Sequence, residues 1–178
     1  MTAILGMIDA SGKCWIAGDR ALSGDDAFFT SSRPKVFRSG PWLVGCSGDV
    51  RAQDALRDAF ATPPRTEREL RRCFDQFKSK TEDWSALVLG RRRIRYVEGG
   101  GALSPIIART AAVGSGEHMA LGALRGMLDG RKTSPRDMLR RALKICSGYT
   151  HYVKPPFDVL EEGKTTPTST RTMCWTSP

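Results

Sequence analysis

Thr2 is the residue whose type and position first suggest chemistry, because its hydroxyl-bearing side chain directly follows the starting methionine. A threonine hydroxyl is a weak nucleophile until a nearby base accepts its proton. If Met1 is removed, the α-amino group of Thr2, with an ordinary pKa of about 7.7–8.0, can act as that base near neutral pH. Methionine is readily trimmed before a small residue, so this interpretation needs no propeptide. The alternative is that Thr2 is an ordinary second residue.

Cysteine and histidine are the other residue types that could do chemistry, and their spacing argues against metal binding. The cysteines are Cys14, Cys46, Cys73, Cys146 and Cys174. Their odd number and the absence of C-x-x-C pairs argue against both a disulfide framework and a zinc site. The two histidines, His118 and His151, lack metal-ligand spacing. We therefore predict no cofactor and no metal from the residues alone.

Composition predicts a single soluble, globular domain with a strongly basic charge. The 178 residues are 40% apolar, and 28 Lys+Arg against 19 Asp+Glu give a net charge of +9. The basic clusters "RTERELRR" (65–72) and "RRRIRY" (91–96) lack interleaved aromatics, so nucleic-acid binding is not the favoured interpretation. The apolar start has no basic leader, and no apolar run approaches the roughly 20 residues of a membrane helix. We therefore expect a cytoplasmic protein without membrane contact.

Turn residues and hydrophobic periodicity divide the chain into two halves of the same order, in which hairpins precede a pair of helices. The first half predicts strands 3–8 and 13–17, a loop or irregular strand at 21–32, a hairpin within 33–49, and helices 50–61 and 66–79. The second half predicts strands 84–89, 94–97 and 106–113, helices 117–128 and 136–147, and one or two final strands within 149–160. The Thr/Ser/Pro-rich tail from about residue 163 is expected to be mobile.

The simplest packing of these elements is two antiparallel sheets face to face, with a helix layer outside each sheet. This arrangement is a four-layer αββα sandwich of the α+β class. The periodicity does not say which strand belongs to which sheet.

Five stretches stand in the order and near the spacing of proteasome β-type subunits. They are Thr2, "IAGDRA" (16–21), "RPKVF" (33–37), "GCSGD" (45–49) and "AVGSGEHMALGALRGML" (112–128). The chain resembles the bacterial HslV-type members of that family most closely, over roughly residues 2–150. The resemblance implies the N-terminal nucleophile hydrolase fold, which is the same four-layer sandwich. It also implies a threonine peptidase that hydrolyses peptide bonds with its N-terminal threonine inside stacked rings.

The resemblance assigns a role to each motif. Lys35 corresponds to the active-site lysine, whose charge would favour the alkoxide of Thr2, and Asp19 would hold that lysine by a charge-assisted hydrogen bond. Ser115 corresponds to the serine that supports the N-terminal amine and a bridging water. Gly48 corresponds to the glycine whose N–H forms the oxyanion hole, with Ser47 as the neighbour if the register shifts by one. The ordinary alternatives are a strand-end ion pair and simple turn chemistry.

Binding sites and partners are also implied by the resemblance. Arg33, Cys46 and Val50 would line the pocket for the substrate side chain ahead of the cut. Carbonyls of Cys146–Thr150 could ligate a monovalent cation, and no other cofactor is implied. The expected assembly is a homo-oligomer of stacked rings of six or seven subunits. Peptides or unfolded proteins would be the substrates, with an ATPase unfoldase as a candidate partner.

Two departures from the family pattern keep other functions open. The stretch from Thr2 to Asp19 is one residue longer than usual, and the acid expected after the fourth helix has no clear counterpart in Cys146–Asp158. A catalytically weak or inactive scaffold is therefore one alternative. A basic module that binds nucleic acid or another protein is the other.

Overall fold

The structure, a computed structural model, describes residues 2–23, 28–77, 83–99, 102–128 and 133–163. Met1 and residues 164–178, which include most of the predicted mobile tail, lie outside these ranges. The strands are β1 (Ile4–Ile8), β2 (Cys14–Gly18), β3 (Ala21–Ser23), β4 (Phe28–Thr30), β5 (Val36–Ser39), β6 (Trp42–Gly48), β7 (Trp84–Gly90), β8 (Arg93–Glu98), β9 (Ser104–Ile106), β10 (Thr110–Val113) and β11 (Asp158–Glu161). The helices are α1 (Val50–Ala59), α2 (Glu67–Gln76), α3 (Glu117–Leu128) and α4 (Pro135–Tyr149).

The strands form two main antiparallel sheets. One has four strands in the order β10-β1-β2-β11, and the other has five in the order β5-β6-β7-β8-β9. The segment expected to be a loop or irregular strand forms a separate small hairpin, β3–β4. The two halves of the sequence therefore do not map onto the two sheets, because β10 and β11 join the sheet that the first hairpin begins.

Alternation along the strands builds the four layers. In β1, Ile4 packs in the core between the two sheets, whereas Leu5 packs against α3 and α4. In β6, Leu43 lies in the same inter-sheet core, and Val44 packs against α1 and α2. Both faces of each sheet are covered, so these strands are apolar along their whole length. The predicted αββα sandwich is confirmed.

The segment 106–113, predicted as one strand, is two strands in different sheets. Ser104–Ile106 ends at the edge of the five-stranded sheet, and Thr110–Val113 pairs with β1 in the four-stranded sheet. The chain crosses between the sheets in the intervening residues, where the side chain of Ile107 is fully exposed. The sequence conceals this crossover, because apolar residues stand on both sides of it and Arg109 and Thr110 between them do not by themselves mark the end of a strand.

Helix ends follow the capping residues more closely than the hydrophobic pattern. Thr66 caps α2 by accepting a hydrogen bond from Glu69 N at 3.2 Å, and Ser134 caps α4 by accepting one from Asp137 N at 3.1 Å. α2 ends at Gln76, earlier than predicted, and α4 continues to Tyr149. Of the one or two strands predicted within 149–160, the structure contains one, β11, which begins at Asp158. Of the helices in the described ranges, none combines the length and apolar character of a membrane span.

Candidate active site

Strand register brings three of the predicted site residues together at the same end of the strands of the four-stranded sheet. Ile4, near the start of β1, pairs with Gly18 at the end of β2 and with Val113 at the end of β10. Residues just outside these strand ends therefore lie side by side. They are Thr2, Asp19 and Ser115.

Lys35 reaches Thr2 from the facing sheet, where it immediately precedes β5. Its Nζ donates a hydrogen bond to Thr2 Oγ1 and another to Asp19 Oδ2 at 3.2 Å. Thr2, Asp19 and Lys35 are 1%, 0% and 3% exposed, respectively. The ammonium group thus bridges a hydroxyl and a carboxylate in a place largely sealed from water.

Asp19 is held by the backbone as well as by the lysine. Its Oδ1 accepts a hydrogen bond from Ala3 N at 3.0 Å, and its Oδ2 accepts one from Ala21 N at 2.8 Å. Ala3 directly follows the threonine, so the carboxylate positions the chain on both sides of the site. Charge-assisted bonds of this kind fix the geometry of a buried carboxylate.

Two opposing effects act on the pKa of Lys35. Burial lowers the pKa below the ordinary 10.5, and the charge and hydrogen bond of Asp19 raise it in part. The net direction is downward. The ammonium group therefore loses its proton more easily than a surface lysine while still placing a cation against the threonine hydroxyl.

The Gly-Ser-Gly turn after β10 holds the backbone of Thr2. Thr2 N donates to Ser115 Oγ at 3.1 Å, and Gly116 N donates to Thr2 O at 3.1 Å. Gly114 has φ of +100°, and a Cβ there would lie 2.4 Å from Thr2 O. The turn therefore requires glycine at this position and brings the serine hydroxyl to the nitrogen that would become the N-terminal amine.

Gly48 and Ser47, the two register alternatives, both line the cleft beside Lys35. Gly48 ends β6 with φ of +114°, and a Cβ there would lie 2.3 Å from Asp83 O. Ser47 faces the space between the sheets, and its Oγ lies 2.7 Å from where a Cβ on Gly114 would be. The oxyanion-hole role of Gly48 stays a prediction.

Of the three residues expected to line the substrate pocket, Val50 lies in the wall of the cleft, and the substrate pocket itself stays a prediction. Its side chain is 47% exposed at the start of α1. Arg33 is an exposed residue that pairs with Asp54 at 2.8 Å. Cys46 packs into the core between the five-stranded sheet and α1–α2, because alternation along β6 turns it to the opposite face from Ser47.

The cleft has a volume of about 1130 Å³ and extends from Lys35 and Ser115 across the five-stranded sheet. Its wall includes residues that the sequence analysis did not single out, namely Ser85, Tyr96, Glu98 and Glu117. Ser85 pairs with both Ser47 and Glu98 in the strand register. For Ser85, Tyr96 and Glu98, the signal that could have found them is the alternation along β7 and β8 combined with the tight turn that joins these strands.

Within the part of the chain that the structure describes, no carboxylate is hydrogen-bonded to Ser115, the role expected of the acid missing from the sequence pattern. Among the described residues, Ser115 is hydrogen-bonded only to Thr2. At the end of α4, Cys146 Sγ lies 3.6 Å from Gly116 O, and Cys146 O accepts hydrogen bonds from Thr150. The described ranges hold no group of His, Cys, Asp and Glu side chains that could bind a metal ion. A monovalent cation at Cys146–Thr150 stays a prediction.

Solved structures of proteasome-like proteins share this fold. BPH from Thiobacillus denitrificans in complex with epoxomicin is 17% identical, with a TM-score of 0.75 over 89% of this chain and 97% of that one. A second structure of BPH from Thiobacillus denitrificans is 17% identical, with a TM-score of 0.73 over 90% of this chain and 97% of that one. Eukaryotic HslV from Trypanosoma brucei is 19% identical, with a TM-score of 0.70 over 89% of this chain and 98% of that one. Neither a protein-family model nor a curated protein sequence matches the chain.

Proposed function

We propose that the protein is a threonine peptidase that hydrolyses peptide bonds with Thr2 as an N-terminal nucleophile after removal of Met1. The observation that carries this proposal is the buried contact of the Lys35 ammonium group with both Thr2 Oγ1 and Asp19. A lysine is rarely buried this deeply unless it is paired, and here Lys35 pairs with the Thr2 hydroxyl and also lines the cleft. The shared fold with BPH and HslV supports the same assignment.

In the proposed mechanism, the neutral Thr2 amine accepts the Oγ1 proton as this oxygen bonds to the substrate carbonyl carbon. The Lys35 ammonium group stabilises the developing alkoxide, and Gly48 N–H donates to the carbonyl oxygen as it gains charge. Collapse of the tetrahedral intermediate breaks the C–N bond, and the leaving amine takes the proton held by the Thr2 amine. Water then hydrolyses the acyl ester and restores the hydroxyl.

Removal of Met1 is a condition of this mechanism. While Met1 is attached, Thr2 N is an amide nitrogen, and its lone pair is not available to accept a proton. Ser115 Oγ is already within hydrogen-bond distance of that nitrogen. We expect the intact mass and N-terminal sequence of the protein to show Thr2 as the first residue.

Substitution of the nucleophile tests the proposal directly. Thr2→Ala should lower turnover of fluorogenic peptides by at least about a thousandfold, as loss of a nucleophile does in other peptidases. Thr62→Ala, in the exposed loop between α1 and α2, is the matched control and should leave turnover unchanged. Epoxomicin, the compound in one Thiobacillus BPH structure, or a peptide vinyl sulphone should label residue 2 of the wild type.

Two results would contradict the proposal. One is wild-type turnover by Thr2→Ala. The other is a preparation that cleaves peptides while Met1 is retained quantitatively.

Assembly into homo-oligomeric rings is part of the proposal, since a ring keeps such a site away from folded proteins. On α3 and α4, Leu124 and Leu143 are buried in the protein's own core, whereas Met119 and Ile145 are each 38% exposed and Tyr149 is 79% exposed. These exposed apolar side chains support a contact between copies. Negative-stain images should show rings of six or seven subunits, and light scattering that gives only a 19.6 kDa monomer would contradict this part.

A catalytically weak or inactive scaffold is a second candidate. One observation favours it: among the described residues, Ser115 has no carboxylate partner. Rings that neither cleave peptides nor take up label at residue 2, despite removal of Met1, would favour the scaffold. Label at residue 2 favours the peptidase.

A further inference from the structure

The charge of the cleft is opposite to the charge of the chain. The protein carries a net charge of +9, yet the cleft wall includes four carboxylates, Asp49, Asp83, Glu98 and Glu117. Lys35 is the one cationic side chain among the described residues that line the cleft. It is 3% exposed and paired with Asp19, so it does little to offset the negative potential of the open part.

Glu98 stands at the end of a row that starts beside the nucleophile. Ser47 on β6 pairs with Ser85 on β7, and Ser85 pairs with Glu98 on β8. Neighbouring strands lie about 4.8 Å apart, which places Glu98 roughly 10 Å from Ser47 along the sheet. All three residues belong to the strand face that lines the cleft.

Glu117 reaches the same corner from the other wall, at the first residue of α3. Tyr96 also lines the cleft, and the charges of both carboxylates act on its hydroxyl. Its hydroxyl donates to Glu98 Oε2 at 2.6 Å, and its pKa is raised to about 12 by that hydrogen bond, by burial, and by the charges of Glu98 and Glu117. The phenol therefore stays neutral and holds Glu98 in place without cancelling its charge.

The other lining carboxylates have different surroundings. Asp49 caps α1 and forms an ion pair with Arg51 at 2.8 Å, so its charge is largely compensated. The imidazole of His118, which is almost fully exposed, lies 3.6 Å from Glu117 and compensates it only when protonated. Among the described residues, neither Glu98 nor Glu117 forms an ion pair with a lysine or an arginine.

We propose that Glu98 and Glu117 make the cleft select peptides with a lysine or arginine side chain close to the bond that is cut. This inference rests on the proposed function, because it names the substrate class of the same site. An extended peptide advances about 3.3 Å per residue, so a cationic side chain within about two residues of the scissile carbonyl can span the remaining distance. Lys35, Ser47, Gly48 and Ser115 line the end of the cleft at the candidate active site, so that end does not depend on these two carboxylates.

Peptide kinetics test the proposal. Fluorogenic peptides that differ only by Lys, Gln or Glu, placed at each of the two positions on either side of the cut, are compared by kcat/KM. An ion pair that is partly exposed is worth a factor of about two to five, so we expect lysine over glutamine by about tenfold for the two carboxylates together. Glu98→Gln and Glu117→Gln should each lower that ratio about threefold, and the double variant should remove it.

Asp75→Asn is the matched control, because it deletes the same charge from an exposed position on α2 outside the cleft. It should keep the wild-type ratio. Raising the salt concentration should reduce the lysine preference of the wild type and leave the double variant unchanged. Thermal melting checks that the Gln variants remain folded.

A binding measurement separates this inference from the proposed function. Thr2→Ala protein should bind the lysine peptide more tightly than its glutamate counterpart by fluorescence anisotropy, and adding both Gln substitutions should abolish the difference. If the wild type cleaves no peptide but this preference remains, the peptidase proposal fails and the cleft assignment stands. If lysine and glutamate peptides are bound and cleaved equally by the wild type, or if the double Gln variant keeps the preference, the inference is overturned.

Discussion

Residues of different types occupy positive φ in the tight turns at the two ends of the sandwich. At the Thr2 end, Gly48 and Gly114 occupy positive φ where a side chain would strike the neighbouring backbone. At the opposite end, Arg91 and Arg92 join β7 to β8 with φ of 53° and 61°, angles that favour glycine or asparagine. At the Thr2 end, the lack of room for a Cβ requires glycine. At the opposite end, contacts of the side chains and backbone stabilise a conformation that is unfavourable for arginine.

Those contacts can be identified. Arg91 N donates to Glu162 Oε1 at 2.9 Å, and the Arg91 guanidinium group lies 5.4 Å from the ring centre of Trp42. The side chain of Arg92 packs over Gly12 in the turn between β1 and β2. None of the four arginines of the basic cluster at 91–96 is among the described residues that line the cleft. Net charge alone therefore says little about the character of the site.

The largest difference between the ends should come from removal of a buried cation. Lys35→Ala leaves the carboxylate of Asp19 buried without its lysine, which should cost about 3–5 kcal/mol of the free energy of unfolding and abolish peptidase activity. Arg93→Ala, an exposed position at the opposite end, should change stability by less than about 0.5 kcal/mol. Urea unfolding and peptide turnover of the two variants provide the comparison. Equal stability losses would show that the Lys35–Asp19 pair is not the buried unit described.

Replacing a glycine at the Thr2 end should be far more damaging than introducing a glycine at the opposite end. Gly114→Ala places a Cβ against Thr2 O at positive φ, so we expect a loss of about 1–3 kcal/mol in stability. Displacement of the threonine should lower kcat/KM by about a hundredfold. Arg92→Gly relieves the unfavourable φ, which offsets its lost packing, and should leave both quantities nearly unchanged. Turnover by Gly114→Ala at the wild-type rate would contradict the close approach at the turn.

Much of this arrangement follows from short-range signals. Turn residues and hydrophobic periodicity locate most of the hairpins and helices, and the order of motifs relates Thr2 to Lys35 through resemblance. The face of β6 that Cys46 occupies could not be predicted, because the pattern of one strand does not say which face meets the helices. Glu98 was overlooked for a related reason: only the register of β6, β7 and β8 shows that it shares a face with Ser47. These are long-range properties of the packed sheets.

The pH dependence of turnover should distinguish the groups at the site from the arginines at the far end. kcat/KM should rise as the Thr2 amine loses its proton, because only the neutral amine can accept the Oγ1 proton. It should fall again when the Lys35 ammonium group deprotonates, and because burial lowers this pKa, the fall should begin below 10.5. Arg93→Ala should keep both limbs. A rate that is flat from about pH 6 to about pH 10 would exclude these two groups as the ones that titrate.

The smallest expected effect is that of thiol reagents, because each end contains a cysteine that should be inert. Burial raises the pKa of Cys46, beside Lys35, to about 12, and burial together with Glu162 raises that of Cys14, at the far end, to about 12. Since the thiolate is the reactive form, both side chains should stay unmodified by iodoacetamide at neutral pH, with turnover unchanged. Peptide mass mapping checks this, with the partly exposed Cys73 as the internal reference for reagent activity. If alkylation occurred at Cys46 and turnover fell in parallel, the thiol next to Lys35 would be accessible from the cleft. The distinction drawn between Cys46 and Ser47 on the two faces of β6 would then be wrong.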